Sequence, residues 1–236
     1  MASTEPIRRF YKEASVHESE AGFAVQLDQR NLRTPGNARF AAQSRALAEA
    51  IAAEWNAQRE HILPSSMPLT QLAFAAIDHT PNRRDALVDY VGKFAETDLL
   101  CHRAETPVEL IARQAESWDS LRDWFIATLG AELPVVTGIV AAEVPAGEIA
   151  KVRAAAAALD DLRLTALAQA AGLAGSAIIA FALVHGAATP EAAFEAAALD
   201  DLWSQEKWGR DDEAQARLDR QRREFENIAR FVELSA

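Results

Sequence analysis

Five histidines and a single cysteine are the residues best suited to metal or nucleophilic chemistry, and their spacing supports neither. His17, His61, His79, His102 and His185 are scattered, with no H-E-x-x-H pair and no C-x-x-C, so zinc lacks its ligand spacing. Cys101 and His102 are sequence neighbours, whose side chains point in different directions, whereas the two side chains of a thiolate–imidazole dyad must face each other; Cys101 therefore reads as a structural thiol. No G-x-S-x-G elbow and no G-x-x-x-x-G-K-[ST] loop occurs, which argues against acyl transfer and nucleotide hydrolysis. Gly172 and Gly175 fall between helical stretches rather than after a strand, unlike a dinucleotide-binding turn. The pairs Asp160–Asp161, Asp200–Asp201 and Asp211–Asp212 could chelate a divalent ion, but adjacent helical residues diverge by about 100°, so solvated helix faces are the plainer reading. No catalytic residue, cofactor or metal is expected. One enzymatic reading stays open, in which the fold gathers unlinked acids such as Glu54, Asp78, Asp98 and Glu206 into one site.

Recognition chemistry is better represented. Leu199–Glu213 (LDDLWSQEKWGRDDE) carries Trp203 and Trp208 among six carboxylates. Ionised groups resist desolvation, so this composition makes poor core, and tryptophan is favoured at binding hot spots. An amphipathic helix that buries Trp203 and leaves its acids in water is the competing explanation.

Two kinds of element must position these residues. Residues 7–40 read as β-structure: Phe23, Val25 and Leu27 alternate with Ala24 and Gln26, between turn signals at Ser19–Gly22, Asp28–Asn31 and Thr34–Asn37. An antiparallel sheet of three or four strands follows. Beyond Ser44, a candidate N-cap, the pattern is helical, with Leu47, Ile51 and Trp55 on one face. Pro68 and Pro81 are placed to open further helices, and Pro107 a long one carrying Val108, Ile111, Ala115, Trp118, Leu121 and Phe125, closed by Gly130. Val135–Val140 fits a strand or an extended connector. Helices near 147–158 and over Leu162–Ala171 follow, the latter stopped by Gly172, then Ser176–Val184, nearly all apolar and so buried. Thr189–Pro190 launches the helix through the tryptophan stretch, and Asp211–Val232 continues with a sparse stripe of Leu218, Phe225, Ile228 and Phe231. The expected architecture is α+β: a β-rich N-terminal domain of residues 1–43 packed on a helical domain of residues 44–236.

Composition sets further bounds. The 236 residues are half hydrophobic and a quarter charged, which is globular rather than disordered. A net charge of −11 disfavours nucleic acid and anionic lipid as partners. Leu164–Pro190 lacks Asp, Glu, Lys and Arg, yet Gly172 and Gly175 interrupt it and much of it is alanine, so two buried helices explain it better than a membrane span. One cysteine, with no secretory h-region or acid-poor transit peptide in the first twenty residues, fits the cytosol.

Several stretches together resemble the assembly chaperones that bind the α subunit of the F-type ATP synthase. They are RRFYKEASV near Arg8, VQLDQRNLRTP from Val25, LAEAIAAEWNAQREHILPSSMPLTQLAFAAID over Leu47–Asp78, TDLLCHR from Thr97, and ALDDLWSQEKWG with its acidic continuation. The resemblance spans nearly the whole chain in order. It implies a small β-rich domain followed by a larger helical one, and a non-catalytic protein that binds free α subunit, shielding its subunit interface until β replaces it. It also implies a bacterial member acting in the cytoplasm, with relatives in the mitochondrial matrix, and a monomer when free. The client-contacting residues it suggests are Glu206, Trp208, Asp211 and Asp212, facing outward while Trp203 turns inward, and Met67 and Thr70 of the central block, with Thr70 at the surface and Trp55 in the core. An enzyme with an acidic site and a general scaffold are the alternatives.

Overall fold

The computed structural model describes residues 7–138 and 142–236 of the chain. It divides into two compact units, one made of Met1–Arg83 with Arg230–Ala236, the other of Arg84–Ala229.

In the first unit, β1 (Ala14–Ser19) and β2 (Gly22–Leu27) form an antiparallel hairpin, with Ala14 opposite Leu27 and Ser19 opposite Gly22; β3 (Arg30–Asn31) pairs with the end of β2. Three short strands cannot bury a core alone. They are covered by α1 (Arg45–Asn56), whose Leu47, Ile51 and Trp55 are buried on the face that the spacing predicts. The side chain of Asn56 closes one end of the β1 edge, accepting from the Ala14 N–H at 2.8 Å and donating to its carbonyl at 2.7 Å. α2 (Pro68–Asp78) packs against α1. The change from strand-like to helical sequence near residues 40–45 falls inside this unit.

The second unit runs through α3 (Arg84–Glu96), β4 (His102–Arg103), α4 (Val108–Leu129), β5 (Val136–Thr137), α5 (Ala146–Ala157), α6 (Asp161–Ala174), α7 (Ala177–Val184), α8 (Pro190–Ala197), α9 (Leu199–Trp208) and most of α10 (Asp212–Leu234). Its centre is α7, every residue of which is buried; α3, α4, α6 and α8 pack against it. α10 presents the expected stripe, with Leu218, Phe225, Ile228 and Phe231 buried. No helix among the described residues is long and apolar enough to cross a membrane. Together with the sheet, this is the α+β class that the sequence predicts.

Several local expectations are corrected. Pro81 sits in a single 3-10 turn (Thr80–Asn82), and α3 opens at Arg84, whose guanidinium bonds to Asp161 and to the carbonyls of Ala157 and Leu159. Gly172 does not stop α6. The helix runs over it, with the Tyr90 hydroxyl 2.7 Å from where a side chain at this position would begin, and Gly175, at φ 65°, ends the helix in the left-handed conformation that glycine adopts without strain. The helix launched by Thr189 breaks at Ala198 and again at Gly209–Asp211, giving α8, α9 and α10 in place of a longer run. Val108 faces solvent, and buried Gln114 takes the inward position. Val136–Thr137 pairs in parallel with β4, while Ile139 and Val140 lie outside the described residues.

Charge divides with the units. The first holds ten Lys/Arg and ten Asp/Glu; the second holds fourteen against twenty-five, which is the whole net charge of −11.

Candidate functional site

The four acids that could have formed a catalytic cluster are each engaged separately in holding the fold. Glu54, on α1, accepts from the Leu69 N–H at 2.9 Å, the Thr70 N–H at 2.8 Å and the Thr70 hydroxyl at 2.7 Å, so it caps the first turn of α2 from a neighbouring helix. Asp78, at the end of α2, accepts from the Thr34 hydroxyl at 2.5 Å and the Gly36 N–H at 2.7 Å, tying α2 to the turn after β3. A Cβ on Gly36 would stand 2.7 Å from that carboxylate, so the close approach requires glycine. Asp98 is fully enclosed and caps both the Leu99–Cys101 turn and α7. Glu206 pairs with Arg113. Among the described residues no group of three or more His, Cys, Asp or Glu is arranged to hold a metal. Burial pushes the Cys101 thiol up to about 12, leaving it protonated and inert at neutral pH.

The central block explains itself in the same way. In E-W-x-x-Q, Glu54 caps α2, Trp55 is buried against Tyr11, and Gln58 fastens the following loop. The Gln58 amide donates to the Glu54 carbonyl and the Ser66 hydroxyl and accepts from the Leu63 N–H. Thr70 is therefore not the surface residue expected of it: it is 3% exposed, because its hydroxyl answers Glu54. Met67 is 2% exposed. Both line a groove of about 510 Å³ in the first unit. Removing the cap with Glu54→Ala is expected to cost about 1–2 kcal/mol, with Glu54→Gln losing less, as read from urea midpoints.

α9 sorts the remaining residues. Leu199 is buried, and Trp203 is half-buried, lying beneath Lys207 (4.5 Å to the ring centre) and Arg113 (5.9 Å). It turns inward only in part. Arg113 reaches across from α4 and grips Glu206 at both oxygens, at 2.6 and 2.8 Å. This pairing holds the Glu206 carboxyl below its usual range. Because the shift is downward, the contribution of the pair is present above the unfolded pKa and lost as pH falls through the folded one. Asp200 accepts from Gln114 at 2.9 Å, and Asp201 pairs with Arg217 at 3.1 Å. Gly209 ends α9, and Asp211 then caps α10 through the N–H groups of Glu213 and Ala214. What stays outward is Trp208, 87% exposed, followed by Asp212 and Glu213 in the first turn of α10. Of the sequence-selected acids, Glu206 and Asp211 serve the fold, and Asp212 is the one that projects freely. Trp208 and Asp212 belong to one unit, Met67 and Thr70 to the other.

Sequence reasoning did not find the Arg113–Glu206 grip, which joins residues 93 apart on different helices. It also missed exposed Phe10 and Ile7, which the alternating pattern of a strand would have hidden among short β segments.

Comparison with known proteins places this arrangement among chaperones. The family described as ATP12 chaperone protein matches residues 8–126, which span the sheet, α1–α3 and most of α4, including Glu54, Asp78 and Asp98; the α9 stretch lies outside that match. A mitochondrial protein of Schizosaccharomyces pombe, named atp12, is 27% identical over 218 residues, covering 86% of this chain and 74% of its own length. The crystal structure of Atp12 from Paracoccus denitrificans superposes with a TM-score of 0.91 at 38% identity, covering 98% of this chain and 99% of that one. A mutant of the same bacterial protein gives 0.91 at 37% identity, with 98% of each chain covered.

Proposed function

The chain belongs to the ATP12 chaperone family, and from that premise we propose that it assists assembly of the catalytic sector of the F-type ATP synthase by binding the free α subunit. A ring subunit outside its ring exposes apolar interface that aggregates unless covered, and a stoichiometric binder covers it without catalysis or nucleotide. The β subunit then displaces the chaperone by occupying the same face. As a bacterial member it would act in the cytoplasm, and as a monomer when free.

Trp208 is the observation that carries the client-binding reading. It is the most exposed large apolar residue among those described, at the end of a helix whose neighbouring acids are otherwise held in place. An exposed indole supplies a large contact area, and Asp212 in the following turn favours a basic rim on the partner, setting orientation and encounter rate more than affinity. The net charge of −11 on the helical unit adds repulsion between chaperone–client complexes and keeps them apart.

The test is light scattering of isolated α subunit diluted from denaturant with and without the purified chain. Suppression saturating at one chaperone per α, and reversed by adding β, is the expected outcome. Unchanged aggregation at equimolar chaperone would sink the proposal.

A further inference from the structure

α9 is anchored unevenly, and the weak end carries Trp208. Its first turn is held three ways: Leu199 is buried, Asp200 accepts from Gln114, and Asp201 pairs with Arg217. The last turn has no such footing. Between Ser204 and Trp208 the only apolar side chain is Trp208 itself, which stands in water. Gln205 is half-buried, and its amide nitrogen meets no acceptor among the described residues. Downstream the chain leaves through Gly209 at φ 96°, with no atom within 4 Å of where a side chain would begin. Glycine accepts many backbone angles, so the join to α10 does little to fix the helix before it.

One contact supplies what the last turn lacks. The pairing of Glu206 with Arg113 is, among the described residues, the one side-chain hydrogen bond or ion pair that joins this turn to another helix. Its far end is firm. Arg113 stands next to buried Gln114 on α4, and one turn further on Trp118 is buried with its indole N–H on the Ala196 carbonyl at 3.0 Å. Both terminal nitrogens of Arg113 are committed to Glu206, so the guanidinium has little to offer a client directly. What it can do is set an angle. Two parallel bonds to one carboxylate define an orientation, where a point charge would define only a distance. Glu206 lies two residues from Trp208 in the same turn, and the orientation passes to the indole.

We infer that Arg113 is a positioning residue for client capture, holding the last turn of α9 in the direction from which Trp208 meets the α subunit. The inference rests on the client-binding reading of Trp208 above and adds to it a residue that acts through the indole without touching the client. The experiment is a double-mutant cycle on the full chain, with Arg113→Ala, Trp208→Ala and the two together, read as affinity for isolated α subunit and as melting temperature. Arg113→Ala should weaken binding by about tenfold, the loss expected if the released turn presents the indole about a tenth of the time. Arg113→Lys should fall between that and wild type, keeping the charge without the two-oxygen grip, and it carries the cycle if the alanine variant does not fold. The melting temperature should hardly move, because both partners are part-exposed and such pairs add little stability. In the Trp208→Ala background, Arg113→Ala should cost nothing further, whereas a general loss of stability would weaken binding in either background. Losses that add independently, or wild-type affinity in Arg113→Ala, overturn the positioning role and leave the reading of Trp208 in place. Wild-type affinity in Trp208→Ala overturns that reading and this inference with it.

Discussion

Replacing Asp98 with alanine is expected to lower the unfolding free energy by about 2–4 kcal/mol near pH 4, the largest stability effect of any single exchange considered, because three buried donors lose one acceptor together. The Ser176 hydroxyl (2.7 Å), the Leu100 N–H (3.0 Å) and the Ile178 N–H (3.1 Å) all end on this carboxyl, and they open two helical segments on different parts of the second unit. The effect is pH-dependent in a direction that can be worked out. Burial raises the carboxyl from 3.8 to about 6, against the pull of its hydrogen bonds from Ser176, Ile178 and Leu100. A group that binds its proton more tightly folded than unfolded favours folding fully below its unfolded pKa, and that contribution is lost as pH rises through the folded value. Stability of the native chain should therefore decline between about pH 4 and pH 6, by at most roughly 3 kcal/mol. The deficit of the alanine variant should shrink over the same interval, since it never buries the charge. Asp98→Asn should flatten the decline while keeping an acceptor oxygen. Urea unfolding across this range decides the matter, and an unchanged slope in Asp98→Asn would assign the titration to another group.

Trp208→Ala should weaken capture of the α subunit by about 30-fold, the 2 kcal/mol of a hot-spot tryptophan, and leave the melting temperature where it was. The second half of that expectation follows from 87% exposure: there is almost no buried surface to lose. Asp212→Lys is its proper electrostatic companion. It should slow association and reduce the salt dependence of binding, with little effect on dissociation. Glu206 and Asp211 would give ambiguous answers, since one releases Arg113 from its grip on α9 and the other uncaps α10. Calorimetric titration at two salt concentrations separates the cases. Wild-type affinity in Trp208→Ala would remove this indole from the interface.

The parts of this fold that were legible in sequence are those whose cause is local. Thr189–Pro190 starts a helix because a hydroxyl and a fixed φ act within one turn, and the Thr189 side chain does accept from the Ala192 N–H. The Leu47–Ile51–Trp55 face and the Leu218–Phe231 stripe are periodicities, and Trp208 stands outward as its acidic, glycine-bounded setting suggested. What escaped is non-local. Thr70 looks free in sequence because Glu54 lies sixteen residues away on another helix. Gly172 looks like a terminator because Tyr90, whose hydroxyl lies close over it, comes from α3. Glu206 looks like a binding acid because Arg113 comes from α4. Tertiary pairing thus engages two of the four groups read from composition, Glu206 with Arg113 and Asp211 with the first turn of α10, and leaves Trp208 and Asp212 projecting.

The membership of Arg230–Ala236 in the first unit bears on how the molecule comes into being at the ribosome. The sheet, α1 and α2 are translated first, yet the unit they belong to also contains Phe231, fully buried in the final turns of α10. That unit stays incomplete until Arg230–Ala236 have left the exit tunnel. A nascent chain stalled anywhere short of residue 230 would carry an unfinished N-terminal unit, so completion of the sheet-bearing half waits on the synthesis of the whole helical unit that intervenes.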